Sequence, residues 1–225
     1  MARENVDSIQ SRIASIVDQD ENTASIDATD YSLRLTYINK ALLEYSEIQD
    51  WQVLFKEHNS LISTSVGNAS VVLPNDFRKL ASFPRITFDG ISTEEYPEVL
   101  PQEDRYEDSE KRVWILGNPN SGYILRIFGS TLASGASVKV PYFASPISLV
   151  SPANIPDIPN TDYLVQRTVS LIWESREDPR FPQAKAEAER ILRNMMEREN
   201  TYNRASDYFR VKTWDESKYG FRWGK

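Results

Sequence analysis

His58 is the only histidine in the chain, and it stands beside Glu57. A lone imidazole next to a carboxylate could act as a general base or a metal ligand. Either role needs further groups. The chain has no second histidine and no cysteine, which excludes a thiolate nucleophile, a disulfide framework and a Cys-based metal site. By its place in the sequence His58 reads as the solvent-facing end of a helix. A second candidate is the acidic run Glu94, Glu95, Glu98, Glu103, Asp104, Glu107 and Asp108, around Pro97 and Pro101. Carboxylates at that density could hold Ca²⁺ or Mg²⁺. Their spacing is not that of an EF-hand loop, and Arg105, Lys111 and Arg112 lie close by, so the run reads as a solvated acidic loop. A third is Gly117-Asn118-Pro119-Asn120-Ser121-Gly122. A phosphate loop would continue through Lys and Ser or Thr into a helix. Here Tyr123-Ile124-Leu125 begins a strand, and the segment reads as a hairpin turn. No serine sits in a GxSxG elbow. The inventory contains no catalytic constellation, cofactor site or metal site.

The residues that stand out lie instead at the C-terminal end. Thr201–Lys225 carries Tyr202, Tyr208, Phe209, Trp214, Tyr219, Phe221 and Trp223, with Arg210 and Arg222 among them. Disordered tails are poor in aromatics, because a chain that builds no core gains nothing from them. Tyr and Trp interspersed with Arg are typical interface anchors. Six basic and three acidic residues give this tail a charge of +3, leaving −10 for the rest of a chain whose net charge is −7. The tail thus reads as an extended arm, 201–225, that orders on an acidic neighbour. A strap packed on its own domain is the alternative; long termini are mobile unless tied down, which favours the arm.

The elements that would carry such an arm can be read from periodicity. A length of 225 residues fits one large domain or two small ones, and 40% hydrophobic residues suffice for a core. No apolar run approaches the ~20 residues that span a bilayer, and the N-terminus lacks the layout of a secretory signal. The chain is therefore expected in the cytosol during synthesis. An overall acidic balance argues against a nucleic-acid grip, which needs a basic surface. Residues 4–18 place Ile9, Ile13, Ile16 and Val17 at helical spacing. A second helix opens near Thr29 or Asp30 and runs to about Trp51 or Phe55 on the stripe Tyr31, Leu35, Ile38, Leu42 and Tyr45. From Ser60 to Phe143 the period changes to that of strands. Candidate strands are Leu61–Val66, Ser70–Leu73, Phe83–Phe88, Glu95–Val99, Arg112–Leu116, Tyr123–Phe128 and Ser137–Phe143, with Pro97 and Pro141 expected at strand ends or edges. A proline-rich crossing segment leads to a helix capped at Asn160, Thr161 or Asp162, and a last helix runs from Pro182 to about Asn200. Trp51, Phe55 and Trp173 read as core. The fold class is α+β: N- and C-terminal helices packed as a bundle, with an inserted antiparallel β-sandwich or barrel. The corresponding boundaries are 1–58 and 159–200 for the helices, 59–150 for the β module, 151–158 for the crossing segment and 201–225 for the arm.

Several stretches, in this order, resemble the head-to-tail connector proteins of tailed bacteriophages. They are Tyr37-Ile38-Asn39-Lys40-Ala41-Leu42-Leu43-Glu44 followed by Trp51, then Leu73-Pro74-Asn75-Asp76-Phe77, then Tyr96-Pro97-Glu98-Val99-Leu100-Pro101 and Trp114-Ile115-Leu116-Gly117-Asn118-Pro119, and last Val140-Pro141-Tyr142-Phe143 ahead of Pro156-Asp157-Ile158-Pro159. The resemblance is closest to the tubular "tail tube A" and gatekeeper-type subunits, and covers roughly residues 30–200; no motif shared with the family is evident beyond 201. It implies a structural virion protein and not an enzyme. Such subunits form a ring of about twelve copies between the portal protein and a downstream tail or nozzle protein. DNA would pass through the ring without specific binding, since an acidic wall avoids phosphate contacts. No membrane and no cofactor is implied; the protein would reside in the neck of the virion and, during assembly, in the host cytoplasm. Two other readings stay open on the residues alone. One is a monomeric ligand- or carbohydrate-binding β-sandwich that uses exposed aromatics such as Tyr96, Tyr106 and Trp114. The other is a carboxylate-based hydrolase built from residues 94–108.

Overall fold

The computed structural model describes residues 4–18, 28–65, 68–88, 92–99, 111–128 and 136–217. Over these the chain is α+β, with four α-helices and nine strands. It divides into two units: Met1–Tyr45 together with Ser148–Lys225, and Ser46–Ile147, which is inserted between them in sequence.

The first unit is helical. Helix α1 (Val6–Val17) buries Val6, Ile9, Ile13 and Val17, the 3–4 spacing of one helical face. Its free N–H groups are all engaged early. Asn5 caps Ser8 N through its side chain, while the carbonyls of Asn154 and Pro152 accept from Val6 N and Asp7 N. Helix α2 (Ala28–Ile48) buries Ile38, Ala41, Leu42 and Tyr45. Helix α3 (Thr161–Ser175) is capped by Asn160, whose side chain accepts from Asp162 N, and packs on α1. Helix α4 (Phe181–Ser217) returns along α3 with Ala184, Ala188, Ile191 and Met195 buried. The turn between them is closed by Asp178 N donating to Trp173 O at 2.9 Å, with Glu177 in the left-handed region at φ 54°.

The inserted unit is a sandwich of two sheets. Strands β1 (Phe55–Leu61), β9 (Ser137–Ala144), β5 (Arg85–Phe88) and β6 (Ser92–Glu95) lie side by side in that order, and β4 (Phe77–Leu80) also pairs with β9. The second sheet runs β2 (Ser63–Ser65), β3 (Asn68–Val72), β8 (Gly122–Phe128), β7 (Arg112–Asn118). All these pairings are antiparallel. Inward residues of the first sheet (Ile86, Val138, Val140, Tyr142) and of the second (Val71, Val113, Leu125, Ile127) form one core. Gly117 and Gly122 shape the β7–β8 turn, both at positive φ. A Cβ on Gly117 would lie 2.1 Å from Gly122 O, so this position requires glycine.

Five expectations need correction. Helix α2 stops at Ile48, and Phe55–Leu61 is strand β1, so His58 lies in a strand opposite Val140 and not at a helix end. The segment Phe55–Leu61 alternates exposed and half-buried residues, which a strand at a sheet edge satisfies and a helix does not. Phe55, expected in the core, is 41% exposed on that strand. Pro141 sits within β9, opposite Glu57, and not at a strand end or edge. Its carbonyl accepts from Ala81 N, where β9 passes from its pairing with β4 to that with β5. The N–H that proline lacks would point to that same gap, so no ladder bond to β1 is lost. Tyr96, weighed as an exposed aromatic, is fully buried. Helix α4 continues to Ser217, where the sequence reading ends it near Asn200 and begins an extended arm. Thr201–Ser217 contains neither Gly nor Pro, and Gly220 is the first breaker beyond it.

Candidate interaction surfaces

The Leu73-Pro74-Asn75-Asp76-Phe77 stretch forms a corner of the sandwich. Phe77 N donates to Pro74 O at 3.0 Å, and Leu73 and Phe77 both turn into the core. Asp76 is thereby left at the rim, where it gathers three partners. Lys56 Nζ lies 2.8 Å from Oδ2, Tyr142 donates its hydroxyl to Oδ1 at 3.0 Å, and Ser145 N donates to the Asp76 carbonyl. Burial, then the bond to Asp76 and its charge, push the Tyr142 phenol up to about 12. The residues of this motif therefore fasten β1, β4 and β9 together; their work is structural.

On the outer face of the second sheet the register aligns apolar residues across three strands. Val72 faces Ile124, and Ile124 faces Leu116. These are 71%, 44% and 37% exposed, values that core packing does not explain. The next row on the same face is Ser70, Arg126 and Trp114. Beyond it Phe128 lies 4.5 Å from the Trp114 ring, with the Arg112 guanidinium 4.7 Å from the Phe128 centroid. The four strands of this sheet contain two arginines and no carboxylate, in a chain with 33 Asp and Glu. Sequence reasoning recognised most of these strands, but it had no means of seeing which residues stand opposite one another.

In the helical unit the polar residues tie elements together. Arg12 of α1 binds Glu4 at 2.8 Å and also Asp162 of α3, and Thr161 donates to the same Glu4. Asp18, at the end of α1, takes Arg34 of α2 and Arg176 after α3. Arg167 of α3 binds Glu44 of α2 at 2.7 Å. The crossing segment is held by Asn39, whose amide donates to Leu149 O and accepts from Leu149 N. Asn154 Oδ1 accepts from Val150 N and Ser151 N, so Val150 and Ile155 are displayed on a fixed backbone.

The sequence-predicted residues fall in different places. Tyr202, Tyr208, Phe209, Arg210 and Trp214 lie on the backbone of α4, and their side chains are outside the described structure. Tyr219, Phe221, Arg222 and Trp223 lie outside the described residues, as do Glu103, Asp104, Tyr106, Glu107 and Asp108 of the acidic run. Of its described members, Glu94 pairs with Lys111 at 2.7 Å and Glu95 with Arg85 at 3.1 Å, and Glu98 lies in a backbone bridge opposite Val113. His58 is half-buried, and its Nε2 is shielded from solvent without a hydrogen-bond partner among the described residues. No three His, Asp or Glu side chains of the described residues gather as a metal site. No helix among them is long and apolar enough to cross a membrane.

No protein of curated function matches this sequence. The profile of the SU10 adaptor protein family matches residues 5–212, from the cap of α1 through both halves of the helical unit and the sandwich between them. It reaches past residue 200, further than the motifs quoted above, and takes in part of the aromatic segment. A match over that span places the chain by its whole architecture and not by one motif: it belongs to the SU10 adaptor protein family, structural adaptors of phage heads and tails.

Proposed function

We propose that this chain is the subunit of a ring, of about twelve copies, that joins the phage portal to the tail and lines the channel through which DNA passes. The family match over residues 5–212 carries this reading. Two physical features support it. A chain of net charge −7 offers a channel wall that does not hold phosphates, so DNA slides through without specific binding. The aromatic, basic residues from Tyr202 to Trp223 suit a contact with the acidic body of a neighbour, either the next copy, the portal protein or the downstream tail protein. In this reading the protein is a virion component of the neck, made in the host cytoplasm, and is not an enzyme.

The test is mass photometry of the purified chain, alone and mixed with portal rings or tailless particles. Binding as a multi-copy ring is the expected result. A persistent monomer that ignores both portal and particles would sink the proposal and bring forward a monomeric ligand-binding sandwich.

A further inference from the structure

We infer that the free edge of strand β1 accepts the C-terminal segment Tyr219–Trp223 of a second copy of this chain as an added strand. The inference rests on the ring reading above and names the surface through which copies meet. Strand β1 ends its sheet: it pairs with β9 alone, over seven residues in one unbroken register. One pair beyond the strand, Ile62 N donates to Ala136 O. That bond fixes the alternation. Lys56, His58 and Ser60 bond β9, while Phe55, Glu57, Asn59 and Leu61 turn their backbone groups to the open side. Phe55 N donates to Gln52 O, and Leu61 O accepts from Ser60 Oγ. The Phe55 carbonyl, the N–H and C=O of Glu57 and Asn59, and the Leu61 N–H have no partner among the described residues. A long, regular edge of this kind is a template for another strand unless something blocks it. The other terminal strands are short or met: β2 has three residues, β6 has four, and at β7 Val113 N donates to Pro97 O while its carbonyl accepts from Val99 N. Strand β1 has neither proline nor bulge, and its one lysine, Lys56, is held by Asp76.

The backbone ladder selects the occupant. Donors and acceptors that recur about every 7 Å match an extended polypeptide, and neither a sugar nor a phosphate chain offers that pattern. Beyond α4, Tyr219-Gly220-Phe221-Arg222-Trp223 alternates aromatic residues with Gly and Arg, the period of a strand and not of a helix. This segment lies outside the described residues. As a strand it spans roughly 17 Å, within the roughly 24 Å of β1. Its three aromatics would then share one face. The outward row of β1 begins and ends with Phe55 and Leu61, 41% and 69% exposed, and the Phe143 ring lies 6.0 Å from that of Phe55. Aromatic and aliphatic neighbours across strands are pairs that stabilise a sheet. Only Lys218 separates the segment from the end of α4, whose 37 residues reach about 55 Å against about 22 Å for α3. The segment is thus delivered past its own helix pair. A donated strand also joins two different surfaces, the tail of one copy and β1 of the next, which is the head-to-tail contact that a ring repeats. Strand β1 laid on the β1 of another copy would close at two copies.

The experiment places a benzophenone amino acid at position 221 of an isotope-labelled full chain, mixes it with unlabelled chain on purified portal rings, and maps the crosslinks by mass spectrometry after irradiation. Crosslinks from labelled position 221 to the unlabelled peptide that holds residues 55–61 are expected. Asn59→Pro in the unlabelled chain removes one outward N–H and no bond to β9, and should reduce that crosslink about tenfold or more with an unchanged circular dichroism spectrum. Asn59→Ala keeps the N–H and should crosslink like wild type. Equal crosslinking by the two variants would show proximity without a backbone ladder and overturn the strand addition. Should Asn59→Pro lose its fold, the map from the unaltered edge decides alone. Rings that form on the portal without the 221-to-β1 crosslink would overturn this edge while leaving the adaptor reading intact. So would crosslinks confined to the labelled chain's own sequence, which make the segment a strap on its own copy, or crosslinks to portal protein alone. A chain that does not join portal rings would overturn both.

Discussion

Asp76 shows how a motif residue that looks available for chemistry is used up by structure. Its carboxylate faces Lys56 and Tyr142, and the two contacts differ in worth. The Lys56 pair is partly exposed, at 37% and 26% for the two side chains, so solvent screens it. The Tyr142 hydroxyl is in the core cluster and would be left without its acceptor. Asp76→Asn, which keeps an acceptor, should therefore cost less than about 1 kcal/mol in urea unfolding, and Asp76→Ala about 2 kcal/mol. Burial first, and then the same contact, sets the titration of Tyr142. A phenol pushed up to about 12, against about 10 when unfolded, favours the folded state while it is neutral. That contribution is complete below the unfolded value and is lost as pH rises through about 12. Absorbance titration should show late-ionising tyrosine that diminishes in Tyr142→Phe; Tyr163, also held near 12 by burial, and Tyr31, Tyr45 and Tyr96, all pushed up by burial, supply the remainder. A second residue-scale case is Glu177, a non-glycine residue at φ 54° after α3. The left-handed conformation costs such a residue about 1–2 kcal/mol, partly offset by the greater freedom glycine has when unfolded. Glu177→Gly should raise stability by up to about 1 kcal/mol in thermal melts. None of this is visible in the sequence, where Leu-Pro-Asn-Asp-Phe appears only as a strand ending and Glu177 only as a charged residue.

Elements were legible wherever local chemistry and tertiary packing agree. Helix α3 carries both its cap, Asn160, and its apolar stripe in the sequence, and the β7–β8 hairpin is announced by its two glycines. The reading slipped where one signal was missing. Strand β1 follows α2 after only a short 3₁₀ turn at Gln52–Leu54, and its inward positions are Lys56, His58 and Ser60, so no apolar alternation marks it. Strand β4, Phe77–Leu80, is too short to show a period. Helix α4 lacks a breaker, and its aromatic half drew attention away from the helix propensity of the backbone. The outward apolar row was missed for another reason: alternation tells which residues leave the core, but register is set by pairing across the chain. The hairpin supplies a test at this scale. Gly117 and Gly122 both have positive φ, but only at Gly117 would a Cβ meet backbone, at 2.1 Å from Gly122 O. Gly117→Ala must shift the turn and should cost more than about 2 kcal/mol, while Gly122→Ala, with open space around it, should cost about 1. Equal losses in chemical denaturation would mean that the backbone angle alone, and not the close approach, explains the need for glycine.

At the scale of the whole molecule, the decisive contrast is between what the core requires and what lies beyond it. Over the part of α4 whose side chains are described, which ends at Asn200, the buried stripe is Ala184, Ala188, Ile191 and Met195; the helix backbone runs on to Ser217. At 1.5 Å per residue α4 is about 55 Å long and α3 about 22 Å, so a helix pair of this kind needs only the first part of α4. We propose that the basic, aromatic remainder meets a partner, with charge +3 against −10 for the body. Truncation after Asn200 should therefore leave the circular dichroism melt of the protein close to that of the full chain, and should abolish its attachment to portal rings. In the full-length chain, Trp214→Ala and Trp223→Ala should each weaken that attachment by about 2 kcal/mol or more, the loss typical of an aromatic anchor. The two measurements separate the possible roles of the segment. A truncated chain that unfolds would make residues 201–225 a strap on their own domain. One that folds and still attaches would move the portal contact elsewhere, and the two tryptophan variants would then bind like wild type. Loss of attachment with folding kept would assign the tail to the neighbour, in line with the charge division between tail and body.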